Sequence, residues 1–236
     1  MARQVRLVAP GHPHHVIQRG NNRGLIVHDD VDRKHYLQVL GDVAIEHRVS
    51  IHAYVLMDNH VHLLVSPSTE QSLSRMMQSL GRRYVGWFNH RHGRTGTLWE
   101  GRFRAQVIDA DGWLLSCLKY IELNPHRAGL ASGLLDWPWS SLSHHIGERR
   151  DPLITDHPAF WQLGNTPFER DINYRRWLEE GLSDTDRQHI TATLMRGATL
   201  GNDAFVHQVG VLTQRDLSPR PRGRPRKVPG IDSVPN

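Results

Sequence analysis

The sequence predicts an α+β fold, a ferredoxin-like sandwich with an antiparallel sheet and helices on one face. A small C-terminal helical region and a disordered basic tail follow it. Three observations predict this. Periodicities run β-α-β-β-α-β-α over residues 1–133, the two middle strands are joined by a two-residue turn, and each helical stretch can cover a small sheet.

The elements follow in order. "HHVIQRG" (14–20) is a short β-type run ending in Arg-Gly-Asn-Asn turn chemistry. Residues 29–48 open on aspartates suited to N-capping, and Val31, Tyr36, Leu37, Leu40, Val43 and Ala44 recur at helical spacing. "SIHAYVLM" (50–57) and "HVHLLV" (60–65) are strands joined at Asp58-Asn59, a hairpin signal. A second amphipathic helix is expected from Ser68 or Thr69 to about residue 92. "RFRAQVID" (102–109) reads as a strand, and residues 109–124 as a third helix stopped by Pro125. Residues 134–167, with "DWPWSS", form an irregular connector. Residues 168–216 hold about three short helices, of which 183–210 resemble a small helix-turn-helix, and 217–236 are the Pro/Arg-rich tail.

Composition narrows the class. The 236 residues are 38% hydrophobic and 22% charged, with no apolar run of the ~18 residues a membrane helix needs. The N-terminus lacks the apolar core of a signal peptide, so the expected compartment is the cytoplasm. One cysteine, Cys117, excludes an intrachain disulfide framework and cysteine-based zinc clusters. Net charge is +5, and its grouping matters more. Arg82, Arg83, Arg91, Arg94, Arg102 and Arg104 fall within residues 81–105 against a single acid, Glu100. This grouping favours a polyanionic partner.

Two groups of residues carry chemistry. His60 and His62 alternate with Val61, so they project from one strand face, ~7 Å apart along the backbone. On pattern alone, packing and a metal site are equally good readings. On the third helix, Leu114, Cys117, Ile121 and Asn124 share an arc with Tyr120 at its edge. Alone, Asn124 reads as a helix cap and Tyr120 as a core-edge aromatic.

"LMDNHVHLLV" resembles the His-hydrophobic-His (HUH) motif of single-tyrosine transposases. "YIELNPHRAGL" (120–130) resembles the tyrosine helix and following loop of the REP-associated tyrosine transposase branch. "HHVIQRGNNR" and "NHRHGRTGTLWEGRFRA" (89–105) also look like that branch, so the resemblance spans about residues 10–130 in order. It implies that His60 and His62 are metal ligands and Tyr120 the nucleophile. Asn124 falls where related insertion-sequence enzymes carry a glutamine as third ligand, so the resemblance implies an amide ligand here on a side chain one methylene shorter. His126 occupies a position expected to be apolar.

The implied chemistry is coherent. Two imidazoles, an amide oxygen and water suit Mg²⁺ or Mn²⁺, which would polarise a phosphodiester. Tyr120 would form a 5′-phosphotyrosine and free a 3′-hydroxyl, conserving the ester bond for strand transfer. The expected partner is single-stranded or hairpin DNA in a bacterial cytoplasm, at the nucleoid while acting, with a monomer favoured and no membrane. Arg19 and Arg23 join the six clustered arginines as DNA contacts, with Tyr84, Trp87, Phe88, Trp99 and Phe103 interleaved for base stacking. Trp87 and Phe88 are the two expected to pack inside. In the tail, Arg222 and Arg224 of "PRGRPRK" form an AT-hook-like core suited to the minor groove of AT-rich duplex. Two other classes compete: a DNA-binding regulator on the same fold with little cleavage, and a His-ligated metallohydrolase with no covalent intermediate.

Overall fold

The computed structural model describes residues 6–217 of the chain. Four strands, β1 (His14–Arg19), β2 (Val49–Leu56), β3 (His60–Pro67) and β4 (Arg104–Val107), form one sheet in the order β2-β3-β1-β4. Every pairing between them is antiparallel. Helices α1 (Asp30–Glu46) and α2 (Ser72–Arg91) lie together on one face, as the ferredoxin-like pattern requires. Alternation along β3 puts Val61, Leu63 and Val65 into their core, with Tyr36, Leu40, Met76, Leu80, Tyr84 and Phe88 from the helices.

The opposite face is not open. Helix α3 (Ala110–Glu122) covers it, burying Leu114, Cys117, Leu118 and Ile121 against Ala53, Val55 and Leu64. The third helix therefore makes a second apolar core rather than extending the first. Short α4 (Asn124–Arg127) follows it directly. Pro125 does not itself stop α3: it sits in the first turn of α4, where its missing N–H leaves no intrahelical bond unmade.

Local chemistry moves some expected boundaries. Asp29 caps α1, its Oδ1 accepting from the Val31 and Asp32 N–H groups at 3.0 Å. Ser68 and Thr69 cap nothing. Their hydroxyls bond the Ser72 hydroxyl at 3.2 and 2.8 Å, and α2 starts at Ser72 instead. The strand expected over 102–109 is shorter, Arg104–Val107.

Beyond α4 the chain keeps returning to the sheet. Residues 134–167 contain α5 (Leu142–His145) and a 3₁₀ turn (Pro158–Leu163). They dock on the outer edge of β2, where Leu56 N–H donates to the Trp139 carbonyl at 2.9 Å and Thr155 N–H to the Ile51 carbonyl at 2.8 Å. These bonds protect an edge that would otherwise expose unpaired backbone. Three helices follow, α6 (Pro167–Glu179), α7 (Asp184–Arg196) and α8 (Asp203–Thr213). Each opens on a side-chain cap, Thr166, Ser183 and Asn202 respectively. Helix α8 buries Phe205 and Val209 against Leu7, Ala9 and Val107.

Glu122 ties this second layer together. Its buried carboxylate accepts from His145 Nδ1 at 2.7 Å, Tyr174 OH at 2.7 Å and Ser141 Oγ at 2.5 Å. One side chain thus joins α3 to α5 and α6. We expect Glu122→Ala to cost about 3–5 kcal/mol in urea unfolding, since it strands three buried donors. Tyr174→Phe, which loses one bond and keeps the ring, is expected to cost only about 1–3 kcal/mol.

Candidate active site

The site lies on the α3 face of the sheet and begins with strand register. His60 and His62 on β3 stand opposite Arg19 and Ile17 of β1, so His15, Ile17 and Arg19 share their face. Helix α3 lays Tyr120 over the same strands. Its ring centroid is 5.8 Å from that of His62 and 5.5 Å from that of His15, and the His60 and His62 rings are 5.1 Å apart. Tyr120 is 8% exposed and His62 2%. The two histidines and the tyrosine, 58 residues apart between His62 and Tyr120 in sequence, meet in one place.

Each histidine is held by a neighbour. His60 Nδ1 donates to Asn59 Oδ1 at 2.7 Å, which leaves Nε2 as the nitrogen with a lone pair. Asn59 is fixed in turn by the loop after β1. Its carbonyl accepts from Gly20 N–H at 2.8 Å, and its Nδ2 donates to the Arg23 carbonyl at 3.3 Å. That loop needs Gly20, because a Cβ there would lie 2.1 Å from the Gly24 carbonyl oxygen. Asn22 and Arg23 hold left-handed φ angles of 51° and 57° to complete it. His62 Nδ1 lies 2.7 Å from His15 Nε2. Buried Asn124 stands beside the His60 ring.

Electrostatics keep these rings neutral. Burial, with Arg127 nearby, lowers His15 to about 3. Burial and the Arg19 charge lower His60 to about 4, against a hydrogen bond to Asn124 that raises it. His62 is pushed well below the usual histidine value by burial, then by His15 and His60. Neutral imidazoles can donate lone pairs to a cation, and with the Asn124 amide oxygen the donor set fits a divalent ion.

Two further residues hold the tyrosine. Thr191 on α7 donates its hydroxyl hydrogen to the Arg187 carbonyl at 2.8 Å, so at the 3.2 Å contact the Tyr120 phenol is the donor. Arg127 donates to the Tyr120 carbonyl at 2.6 Å and places its guanidinium 4.3 Å from the ring centroid. His126, between Pro125 and Arg127, has both ring nitrogens buried without a hydrogen-bond partner.

A second group, His144, His145 and Asp156, brings three possible ligand atoms within 4.8 Å. It does not suit a cation. His144 Nδ1 accepts from Asp151 N–H at 3.1 Å, so its hydrogen sits on Nε2, facing Asp156 Oδ1 at 3.3 Å. Glu122 and Asp156 raise His145 against its burial, which favours the protonated ring. The group is a hydrogen-bonded brace.

The arginines divide. Arg19, Arg102 and Arg104 line a groove of about 1590 Å³ between β4 and the C-terminal helices, with Arg196, His189 and Phe103. Arg82 and Arg102 also line a cleft beside α2. Arg83 pairs with Glu46 at 2.5 Å, and Arg91 pairs with Asp29 at 2.7 Å and with Asp32. Arg94 lies 5.4 Å over Phe88, and Arg23 is exposed in the loop after β1. Arg222 and Arg224 lie outside the described residues. The expected stacking aromatics serve the fold instead. Tyr84 and Phe88 on α2 are buried in the first core with Trp99 and Phe103, and Trp87, half-buried, stacks on His35 with ring centroids 3.9 Å apart. Phe103 lines both of these clefts and Trp99 the one beside α2.

His15, Asn59, Arg127 and Thr191 were not singled out from sequence. His15 and Asn59 stand in quoted motifs, but their roles depend on register, and nothing local marks Thr191.

The family described as "Transposase IS200 like" matches residues 10–124. Among solved structures, a REP-associated tyrosine transposase bound to a REP hairpin shares the fold. It has a TM-score of 0.54 at 19% identity, over 67% of this chain and 96% of its own. A Deinococcus radiodurans R1 crystal structure assigned as a transposase aligns at 17% identity over 56% of this chain and 100% of its own. Its TM-score of 0.37 is too low to bear on the fold. No curated protein matches the chain.

Lowered histidine values make stability depend on pH. Below about 6.5 the unfolded chain binds protons that folded His15, His60 and His62 refuse, so stability rises with pH between about 4 and 6.5. Each contributes at most about 1.4 kcal/mol per pH unit there. Urea midpoints are expected to fall from pH 7 to pH 5, and less steeply in His15→Asn.

Proposed function

With residues 10–124 belonging to the IS200-like transposase family, we propose that the chain nicks and rejoins single-stranded DNA at hairpin-forming repeats through a 5′-phosphotyrosine intermediate. The observation that carries this reading is the convergence of His60, His62 and Tyr120 on one buried face of the sheet.

In this reading His60, His62 and Asn124 hold a divalent ion, Mg²⁺ or Mn²⁺. When bound, such an ion polarises the scissile phosphodiester and offsets its developing charge. The chain supplies the rest. Thr191 orients the Tyr120 phenol. Its oxygen attacks phosphorus, forming the P–O bond to tyrosine as the P–O3′ bond breaks. The phenol loses its proton, and the departing 3′ oxygen gains one. Arg127, beside the ring, meets the phosphate with a fixed positive charge. Because an ester is exchanged for an ester, a second 3′-hydroxyl reverses the step and transfers the strand.

The arginine-lined groove beside β4 is the track proposed for the DNA backbone, with Arg19, Arg102 and Arg104 on phosphates. Arg23, Arg82 and Arg94 extend it, while Arg83 and Arg91 reach DNA only by leaving their carboxylates. A hairpin substrate is inferred from the REP-bound relative. In this division residues 1–133 carry the chemistry and 134–167 connect. Residues 168–216 close one wall of the groove, and the tail from 217, with Arg222 and Arg224, takes AT-rich duplex. We place the protein in the cytoplasm as a monomer. Among the described residues no helix is long and apolar enough to cross a membrane.

The test is Mn²⁺ with single-stranded hairpin DNA from beside the protein's own gene, read as a denaturation-resistant adduct. Wild type is expected to form it and Tyr120→Phe to form none while still binding the DNA. Binding without cleavage by wild type supports a regulator instead, and cleavage that survives Tyr120→Phe supports a hydrolase.

A further inference from the structure

Three buried polar side chains stand in a row across the sheet. Gln106 on β4 is 1% exposed, His15 on β1 0% and His62 on β3 2%. His15 is directly opposite Gln106 and diagonal to His62 in the strand pairing. Gln106 Nε2 lies 3.2 Å from His15 Nδ1, and His15 Nε2 lies 2.7 Å from His62 Nδ1. The other end of the amide, Gln106 Oε1, is buried with no hydrogen-bond partner.

A neutral imidazole carries one hydrogen and one lone pair. Two rings facing through His15 Nε2 and His62 Nδ1 must therefore have one hydrogen between them, because two hydrogens or two lone pairs at that distance repel. This leaves two orders. In the first, Gln106 Nε2 donates to His15 Nδ1, His15 Nε2 donates to His62 Nδ1, and the His62 hydrogen sits on Nε2. In the second, the amide is turned and Gln106 Oε1 accepts from His15 Nδ1. His15 Nε2 then accepts from His62 Nδ1, and His62 Nε2 is a bare lone pair. Both orders join the same three side chains through the same number of hydrogen bonds and differ at Gln106 only in which end of the amide faces His15. Only the second gives His62 a nitrogen that can ligate a cation.

We propose that Gln106 and His15 are positioning residues that set the tautomer of His62, the three side chains reversing their hydrogen bonds as one unit. The proposal rests on the reading of His62 as a cation ligand. Glutamine suits the end of such a row because its amide offers a donor or an acceptor from one position. Turning it breaks no second bond, since Oε1 has none. On reversal His62 releases the Nε2 hydrogen to solvent and receives the His15 Nε2 hydrogen at Nδ1, while His15 takes up one proton from solvent at its own Nδ1. The count of protons on the three side chains is unchanged.

The experiment follows ring ¹⁵N signals of the full chain by NMR, without metal and with Mg²⁺. His15 and His62 are expected to carry their hydrogen on the same-named nitrogen in both states, Nε2 without the ion and Nδ1 with it. Opposite tautomers in either state, or Mg²⁺ that switches His62 and leaves His15 unchanged, overturn the relay. Mn²⁺ affinity gives a second reading. Gln106→Met, close in shape with neither donor nor acceptor, is expected to bind about 10-fold more weakly, and Gln106→Glu, which accepts only, at least as tightly as wild type. Equal affinity in all three proteins also overturns it. If wild type binds neither ion, the ligand reading fails and the relay with it, an outcome distinct from a cation that binds regardless of residue 106.

Discussion

The register of β1 between β3 and β4 is the constraint on which the site depends. It sets His15 between Gln106 and His62, and it places Arg19 beside His60. A slip of one residue would turn His15 into the α1–α2 core and bring Val16 to the site face. Apolar burial guards against this. Val16, Leu63 and Val65 are all buried in the first core, so any slip that moves the histidines also moves aliphatic residues toward a polar face. The packing of one layer thereby fixes the chemistry of the other.

The two faces of the sheet meet different demands. The α1–α2 face is apolar and aromatic, and it absorbs most rings in the Arg-rich segment. The α3 face mixes an apolar core with buried imidazoles, an amide and the Glu122 carboxylate. Polar groups at that depth stay neutral or are paired, because charge is costly to desolvate. The histidines near Tyr120 take the neutral route. His145 takes the paired one, against Glu122 at 2.7 Å. The difference separates a group able to offer lone pairs from one that braces helices.

Much of this was legible in the sequence. Period-two and period-3.6 patterns located the four strands and the three helices of the N-terminal part, and the pair His60/His62 with Tyr120 was found by motif. What stayed hidden was relational. The opposite-face placement of α3 depends on which apolar stripe meets which strand face, and both stripes look alike. Asn59 read only as a turn residue, since its bond to His60 exists once the Gly20 loop has clamped it. The stacking role given to Tyr84 failed, while Phe88 packs inside as expected, because aromatic residues at helical spacing serve a core equally well. Thr191 carries no signal of its own, as a threonine on a polar helix is ordinary.

That threonine ties the site to the order in which the chain is made. Tyr120 and Thr191 are 71 residues apart, so the α7 hydroxyl that seats the phenol is made well after it. At about 5–20 residues per second on a ribosome, Thr191 follows Tyr120 by roughly 4–14 s. The sheet, α3 and the histidine pair can assemble in that interval with the phenol unseated. Completion of the nucleophile's surroundings thus waits for α7, one of the helices that wall the arginine groove.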